Sequence, residues 1–220
     1  MRRAPAAAEL QIAGLVGYST CDWPGKLAAT VFLQGCPWQC TYCHNPTLID
    51  PRTPGKASWT EVAALLERRR GLLDGVVFSG GEPTRQLALI DAIRRVRSAG
   101  YGVGLHTGGA YPTRLAAILP LVDWVGLDIK AMPDQFDAIT RTRGGALPAF
   151  RSLDLVLESG VDVQVRTTVD PTVMGEDDVA RLTAHLAERG VGEHVIQTVR
   201  GEGTTDEYQE ALARLRSGAA

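Results

Sequence analysis

From Leu27 onward, short apolar runs rich in β-branched residues alternate with longer stretches of helical period, and this alternation restricts the fold of the 220-residue chain more tightly than any other feature. It is the pattern of a parallel sheet covered by helices. Strands are predicted at 28–33 (AATVFL), 75–78 (GVVF), 102–105 (GVGL), 124–129 (WVGLDI), 162–169 (DVQVRTTV) and 194–199 (HVIQTV). Most are apolar throughout, as expected when both faces are buried. Ser58 with Glu61 forms a capping box ahead of Val62, Leu65 and Leu66, which starts the first helix. Pro83 and Thr84 are read as opening the second, with apolar positions Leu87, Ile90, Ile93 and Val96 and a stop near Gly100. Further helices fit 112–119, 148–159, 176–188 and 206–216, with a short helix plus loop at 133–145. A closed eight-unit barrel needs about 250 residues. Six strands in 220 residues therefore predict an α/β fold, an open, incomplete (β/α)6 TIM-like barrel of parallel strands. Residues 1–27 are read as a leader packing on it, 28–200 as the partial barrel and 201–220 as a C-terminal helix. In such folds chemistry gathers at the carboxyl ends of the strands.

Composition narrows the partners. With 45% hydrophobic and 22% charged residues and a net charge of -2, the chain has no basic field for a nucleic-acid backbone. Arg68, Arg69 and Arg70, and Arg94, Arg95 and Arg97, fall late in predicted helices, where cations suit the dipole and solvent. The N-terminal apolar run is broken by Glu9 and Gln11 and does not read as a signal peptide. No segment approaches the ~20 apolar residues that cross a bilayer. A cytoplasmic location without membrane contact is expected. There thiols stay reduced, so four cysteines with three crowded together argue for a metal or for catalysis over disulfides.

Those three, Cys36, Cys40 and Cys43, follow the first predicted strand in the spacing C-x-x-x-C-x-x-C, on a loop at the carboxyl-end face. Structural zinc needs four ligands, and the fourth would have to be His44, adjacent to Cys43, or the distant Cys21. A C-x-x-C redox pair of Cys40 with Cys43 leaves Cys36 unexplained. The remaining reading is a [4Fe-4S] cluster held by three cysteines, with one iron open to a bidentate ligand. Cys21, fifteen residues before Cys36, is taken as incidental or solvent-shielding.

Other strand ends carry further candidates. Gly80 and Gly81 end the second strand and permit close approach of the backbone to a ligand, and Glu82 is read as a carboxylate at the mouth of the sheet, ready for an ammonium. The bland reading there is a tight strand-to-helix turn. His106 and Thr107 end the third strand, and Asp128 and Lys130 share a face at the fourth, as functional groups or as an ion pair at the rim. Arg166, inside the fifth strand, needs partners if buried.

The cysteine loop, with Tyr42 just before its last cysteine, resembles the radical S-adenosylmethionine (radical SAM) superfamily, as does the order Gly80-Gly81-Glu82-Pro83. Within it, "STCDWPGKLAATVFLQGCPWQCTYCHNP", "SGGEP", "LHTGGAYP", "WVGLDIK" and "VRTTV" resemble the glycyl-radical-enzyme activating proteins, particularly the branch that activates anaerobic ribonucleoside-triphosphate reductase, the alternatives being an activase of the pyruvate formate-lyase type or a radical SAM enzyme acting on a small molecule. The resemblance implies that the open iron chelates the methionine moiety of SAM and that one electron, from reduced flavodoxin or ferredoxin, yields a 5'-deoxyadenosyl radical that takes hydrogen from a backbone glycine of a partner. It also implies that Tyr42 packs beside the adenine, that Gly80, Gly81 and Glu82 bind the methionine amino group, that Lys130 neutralises the SAM carboxylate, and that Asp128 meets ribose, a cation or Lys130. Arg166 is expected at a substrate or SAM carboxylate. The chain departs from pyruvate formate-lyase activating enzymes at His106, where those have an Asp that helps hold a monovalent cation, and at Gly108, where they have Asn. That puts a cation site in doubt and leaves His106 as a SAM contact or a packed strand-end histidine.

Overall fold

The computed structural model describes residues 4–217, so the expectations for residues 1–3 and 218–220 lie outside it. Among the described residues there are seven strands: β1 (Ile12–Ser19), β2 (Ala28–Leu33), β3 (Gly75–Gly80), β4 (Gly102–Thr107), β5 (Trp124–Asp128), β6 (Asp162–Val169) and β7 (His194–Thr198). They lie side by side in chain order; β2 to β7 are parallel and β1 runs antiparallel to β2, pairing Ile12 with Leu33 and Ser19 with Ala28. The sheet does not close, since β1 and β7 are its two ends, which is the open, incomplete barrel expected. Helices α1 (Trp59–Arg68), α2 (Leu89–Ser98), α3 (Pro112–Ile118), α4 (Pro133–Thr140), α5 (Ala146–Ser159), α6 (Glu176–Glu188) and α7 (Asp206–Ser217) connect and follow the parallel strands. None is long and apolar enough to cross a membrane.

The apolar strands sort their side chains by the two-residue alternation of β structure. Val31 and Leu33 of β2, Val76 and Phe78 of β3, Leu105 of β4 and Leu127 of β5 join the main core against the helices. The other face holds a separate small cluster of Trp23, Ala28, Val77 and Trp124. This second cluster is the filling of the barrel lumen.

Two differences from the sequence reading matter for the site. First, the N-terminal segment is part of the sheet, because its Ile12–Ser19 stretch forms β1, and the loop after it turns inward. Trp23 stacks on Trp124 with ring centroids 5.8 Å apart, over glycines that leave it room: a Cβ at Gly75 would lie 2.8 Å from the Trp23 ring and one at Gly104 3.1 Å. Second, Pro83 does not open α2. It begins a 3-10 turn (Pro83–Arg85), and α2 starts at Leu89, burying Leu89, Ala92, Ile93 and Val96 while Leu87 is exposed. The delay lets Glu82 cap that turn through the Thr84 amide.

Candidate active site

A cavity of about 220 Å3 opens at the carboxyl ends of the strands, and Cys36, Cys40, Tyr42, Cys43, Gly80, Gly81, Glu82, His106, Thr107, Asp128, Lys130 and Arg166 all line it. Trp38, Ser79 and Thr168, which the sequence reading did not single out, line it as well. Ser79 and Thr168 carry an ordinary signal, a hydroxyl at the inward phase near the end of a strand, and Trp38 is an aromatic inside the cysteine loop.

The cysteine loop is held at both ends. Its start is zipped to the end of β3, with the Gly81 amide donating to the Leu33 carbonyl at 2.9 Å and the Glu82 amide to the Gly35 carbonyl at 2.9 Å. Gly80 (φ 113°) and Gly81 are therefore required by the loop itself: a Cβ at Gly80 would sit 2.3 Å from the Leu33 amide nitrogen, and one at Gly81 2.5 Å from the Gly35 oxygen. Close approach was expected, but it is the chain carrying the cysteines that approaches. Farther along, the Gln39 amide donates to the Thr140 carbonyl at 3.0 Å and the Thr41 amide to the Ile139 carbonyl at 2.9 Å, at the end of α4.

All four cysteines are free. Burial pushes the Cys36 thiol up to about 12, and burial likewise raises Cys40 against the opposing pull of Lys130. Thiols held this way stay protonated until a cation displaces the proton. Among the described residues no three His, Cys, Asp or Glu side chains converge closely enough for a single ion. Cys36, Cys40 and Cys43 all line the one cavity, and three thiol donors there are compatible with a [4Fe-4S] group. Cys21 lies exposed just after β1, beside the Ser19 hydroxyl at 3.3 Å, and does not line the cavity.

Glu82 does not stand free at the mouth. It is 2% exposed, and its carboxyl accepts from the Thr84 amide (3.0 Å) and hydroxyl (2.6 Å), the Thr107 hydroxyl (2.8 Å) and the Gly108 amide (3.0 Å). Burial raises its pKa, with those donors opposing. The side chain thus knits the ends of β3 and β4 together, and Thr107 is bound to Glu82. Gly108 is constrained in turn, because a Cβ there would lie 2.2 Å from the Trp38 ring.

At the floor of the cavity, Arg166 Nε donates to Asp128 Oδ1 at 2.9 Å. The alternative of an Asp128–Lys130 ion pair gives way to this one because Asp128 and Arg166 are register partners on adjacent strands. Burial opposes ionisation of Asp128, but Arg166 and Lys130 outweigh it and hold its carboxyl below the ordinary value. Lys130 makes no salt bridge among the described residues; its Nζ lies 5.6 Å from the Tyr42 ring centroid and 5.8 Å from that of Trp38. Those are cation–π distances. Burial works against its ammonium form, yet Tyr42, Cys40 and Asp128 outweigh burial and raise its pKa well above the ordinary value.

His106 is anchored by protein on both nitrogens. Nε2 lies 2.7 Å from the Asp22 carbonyl and Nδ1 3.2 Å from the Ser79 hydroxyl. Burial first, and Arg166 second, push its pKa down to about 4, so the ring is neutral at pH 7. A carbonyl can only accept, so Nε2 carries the proton and Nδ1 accepts from Ser79. The 3.3 Å approach of Arg166 to Nε2 is then donor against donor rather than a hydrogen bond. Asp22 also accepts from Thr30 at 2.6 Å through its carboxylate. The loop before β2 therefore forms the underside of the cavity, a role that sequence spacing did not reveal.

The sequence profile of the radical SAM superfamily matches residues 30–182. A protein named as a glycyl-radical enzyme activating enzyme in Methanocaldococcus jannaschii is 30% identical over 188 residues, covering 76% of this chain and 72% of the relative. The pyruvate formate-lyase-activating enzyme of Clostridium pasteurianum is 32% identical over 171 residues, covering 75% and 71%. In fold the chain is similar to Streptococcus suis SuiB bound to its precursor peptide SuiA, with a TM-score of 0.61 at 14% identity, over 84% of this chain. It spans less than half of SuiB, 44% of that chain.

Proposed function

The chain belongs to the radical SAM superfamily, and from that premise we propose that it is an activase that installs a glycyl radical on a partner enzyme, an anaerobic ribonucleoside-triphosphate reductase, in the cytoplasm. The observation that carries this reading is three cysteines sharing one cavity with an ammonium that has no carboxylate partner among the described residues, Lys130, and with the strand ends at Gly80, Thr107 and Asp128. When bound, a [4Fe-4S] cluster supplies one electron to the sulfonium of SAM, whose cleavage gives methionine and a 5'-deoxyadenosyl radical that takes a hydrogen atom from the target glycine.

The chain's part is holding and shielding. Cys36, Cys40 and Cys43 would hold the cluster and leave it open to SAM. Lys130 meets the SAM carboxylate, which replaces the missing counter-ion in the cavity. The SAM amino group is met by the backbone at Gly80 and Gly81, because the Glu82 carboxyl is engaged by Thr84, Thr107 and Gly108. Asp128 accepts Arg166 through Oδ1 and keeps Oδ2 for a ribose hydroxyl. Tyr42 packs beside the adenine. Trp38 above and Trp23 below exclude water from a site where a carbon radical would otherwise be quenched. The open side of the barrel admits the glycine loop of the partner, and reduced flavodoxin or ferredoxin delivers the electron.

A second reading, activation of a pyruvate formate-lyase, is favoured by the likeness to the Clostridium enzyme. One experiment separates the two. The anaerobically reconstituted protein is mixed with SAM, reduced flavodoxin and either partner, and glycyl radical is read by electron paramagnetic resonance. Signal on the reductase is expected; signal on the lyase alone selects the second reading. SAM cleavage with no glycyl radical on either partner would refute both.

A further inference from the structure

The segment from Arg200 through α7 grips the second half of the cysteine loop at two places. His44, next to Cys43, meets the Arg200 carbonyl through Nε2 at 2.9 Å, and Gly203 passes so close that a Cβ there would lie 2.9 Å from the His44 oxygen. Thr41, between Cys40 and Cys43, donates its hydroxyl to Asp170 Oδ2. Asp170 follows β6 and is fully buried. Its Oδ1 accepts from the Tyr208 hydroxyl of α7 at 2.8 Å, and from the Thr172 amide (2.9 Å) and hydroxyl (2.6 Å). A buried carboxyl is costly unless its lone pairs are filled, and this one is filled by groups from three separate parts of the chain. Neither Asp170, Tyr208 nor Thr41 lines the cavity, so contact with SAM does not explain them. What they share is the turn between the second and third cysteines.

We propose that Asp170 is a positioning residue for the iron–sulfur cluster: it fixes the Cys40-to-Cys43 turn by locking Thr41 to α7 through Tyr208. The assignment rests on the reading that Cys36, Cys40 and Cys43 hold a cluster, but not on which partner is activated. A hydroxyl fixed at Cβ of a β-branched residue sets the χ1 angle of Thr41 and hence the backbone between two ligands. The C-terminal helix is thereby a clasp on the metal loop, and loosening its docking loosens two of the three sulfurs.

The test uses the full chain, reconstituted anaerobically, and measures iron release to a ferrous chelator together with the resonance spectrum of the dithionite-reduced cluster. Thr41→Val and Tyr208→Phe are each expected to release iron five- to tenfold faster and to alter the spectrum, while Thr41→Ser, which keeps the hydroxyl, stays near the parent. The double variant Thr41→Val/Tyr208→Phe should be no faster than the faster single one, because both act through Asp170. Tyr101→Phe is the control: it also deletes a buried tyrosine hydroxyl bond, to the Leu66 carbonyl at 2.6 Å, on the far side of the main core. If Tyr208→Phe releases iron no faster than Tyr101→Phe, or Thr41→Val behaves as the parent, the assignment is overturned. A parent protein that takes up no cluster would overturn the cluster reading itself, and this is seen before any variant is made.

Discussion

Replacing Trp23 by Ala tests whether the lumen plug is structural or incidental. Trp23 is 8% exposed and sits on Trp124 at a 5.8 Å centroid separation and an 18° interplanar angle. A buried aromatic of this size removes ~150–250 Å2 from water, which at ~25 cal/mol per Å2 is about 4–6 kcal/mol, and measured Trp→Ala losses run ~3–5 kcal/mol. Gly75, Gly102 and Gly104 beneath the ring present no side chains to move into the hole, which leaves only the short Ala28 and Val77 beside it. The loss should therefore lie where the two ranges overlap, at about 4–5 kcal/mol. Against the ~5–15 kcal/mol of an ordinary domain, the variant stays folded with a narrow margin. Urea unfolding followed by far-ultraviolet circular dichroism measures it, with Trp23→Phe, which retains a stack, costing about 1–2 kcal/mol. The same alanine variant should bind SAM more weakly, since Asp22, which holds His106, is its neighbour. A loss below ~2 kcal/mol, or equal losses for alanine and phenylalanine, would refute the plug.

Three further outcomes are expected. Cys36→Ala, Cys40→Ala and Cys43→Ala each abolish SAM cleavage under dithionite while Cys21→Ala does not; loss of 5'-deoxyadenosine in the last variant would contradict its exposed position away from the cavity. His106, depressed from 6.5 to about 4, contributes stability that is present above about pH 6.5 and is lost as pH falls toward 4, about 3 kcal/mol at ~1.4 kcal/mol per unit. Unfolding of the metal-free protein across that window, compared with His106→Gln, should show the acid limb flattened in the variant. Gly108→Asn drives a Cβ into Trp38 and should cost about 1–3 kcal/mol, part of it recovered when combined with Trp38→Ala; an unchanged melting temperature for Gly108→Asn would sink the argument.

The elements legible in the sequence were those set by local rules. The Ser58–Glu61 box forms as read, with Glu61 Oε2 accepting from the Ser58 amide at 2.7 Å, and α6 runs over the residues expected of it. The cysteine spacing pointed to the loop that lines the cavity without help from the fold. What escaped depends on residues distant in the chain. β1 was hidden because Gly14 and Gly17 weaken a strand signal that pairing with β2 restores. The place of Trp23 is decided by glycines on β3 and β4 that only come together in the sheet. Glu82 was read as free because its donors Thr107 and Gly108 lie some 25 residues on. Lys130, two residues from Asp128, was the obvious partner in sequence; Arg166, 38 residues on, is the one in space.

The underside of the cavity has a consequence for anyone who would transplant this chemistry. A graft beginning at the first parallel strand would carry Cys36, Cys40 and Cys43 and the end of every parallel strand, yet leave Asp22 and Trp23 behind and hand the recipient a bottomless cup. The smallest portable unit starts upstream, at Ile12, where the antiparallel strand delivers that loop beneath the histidine.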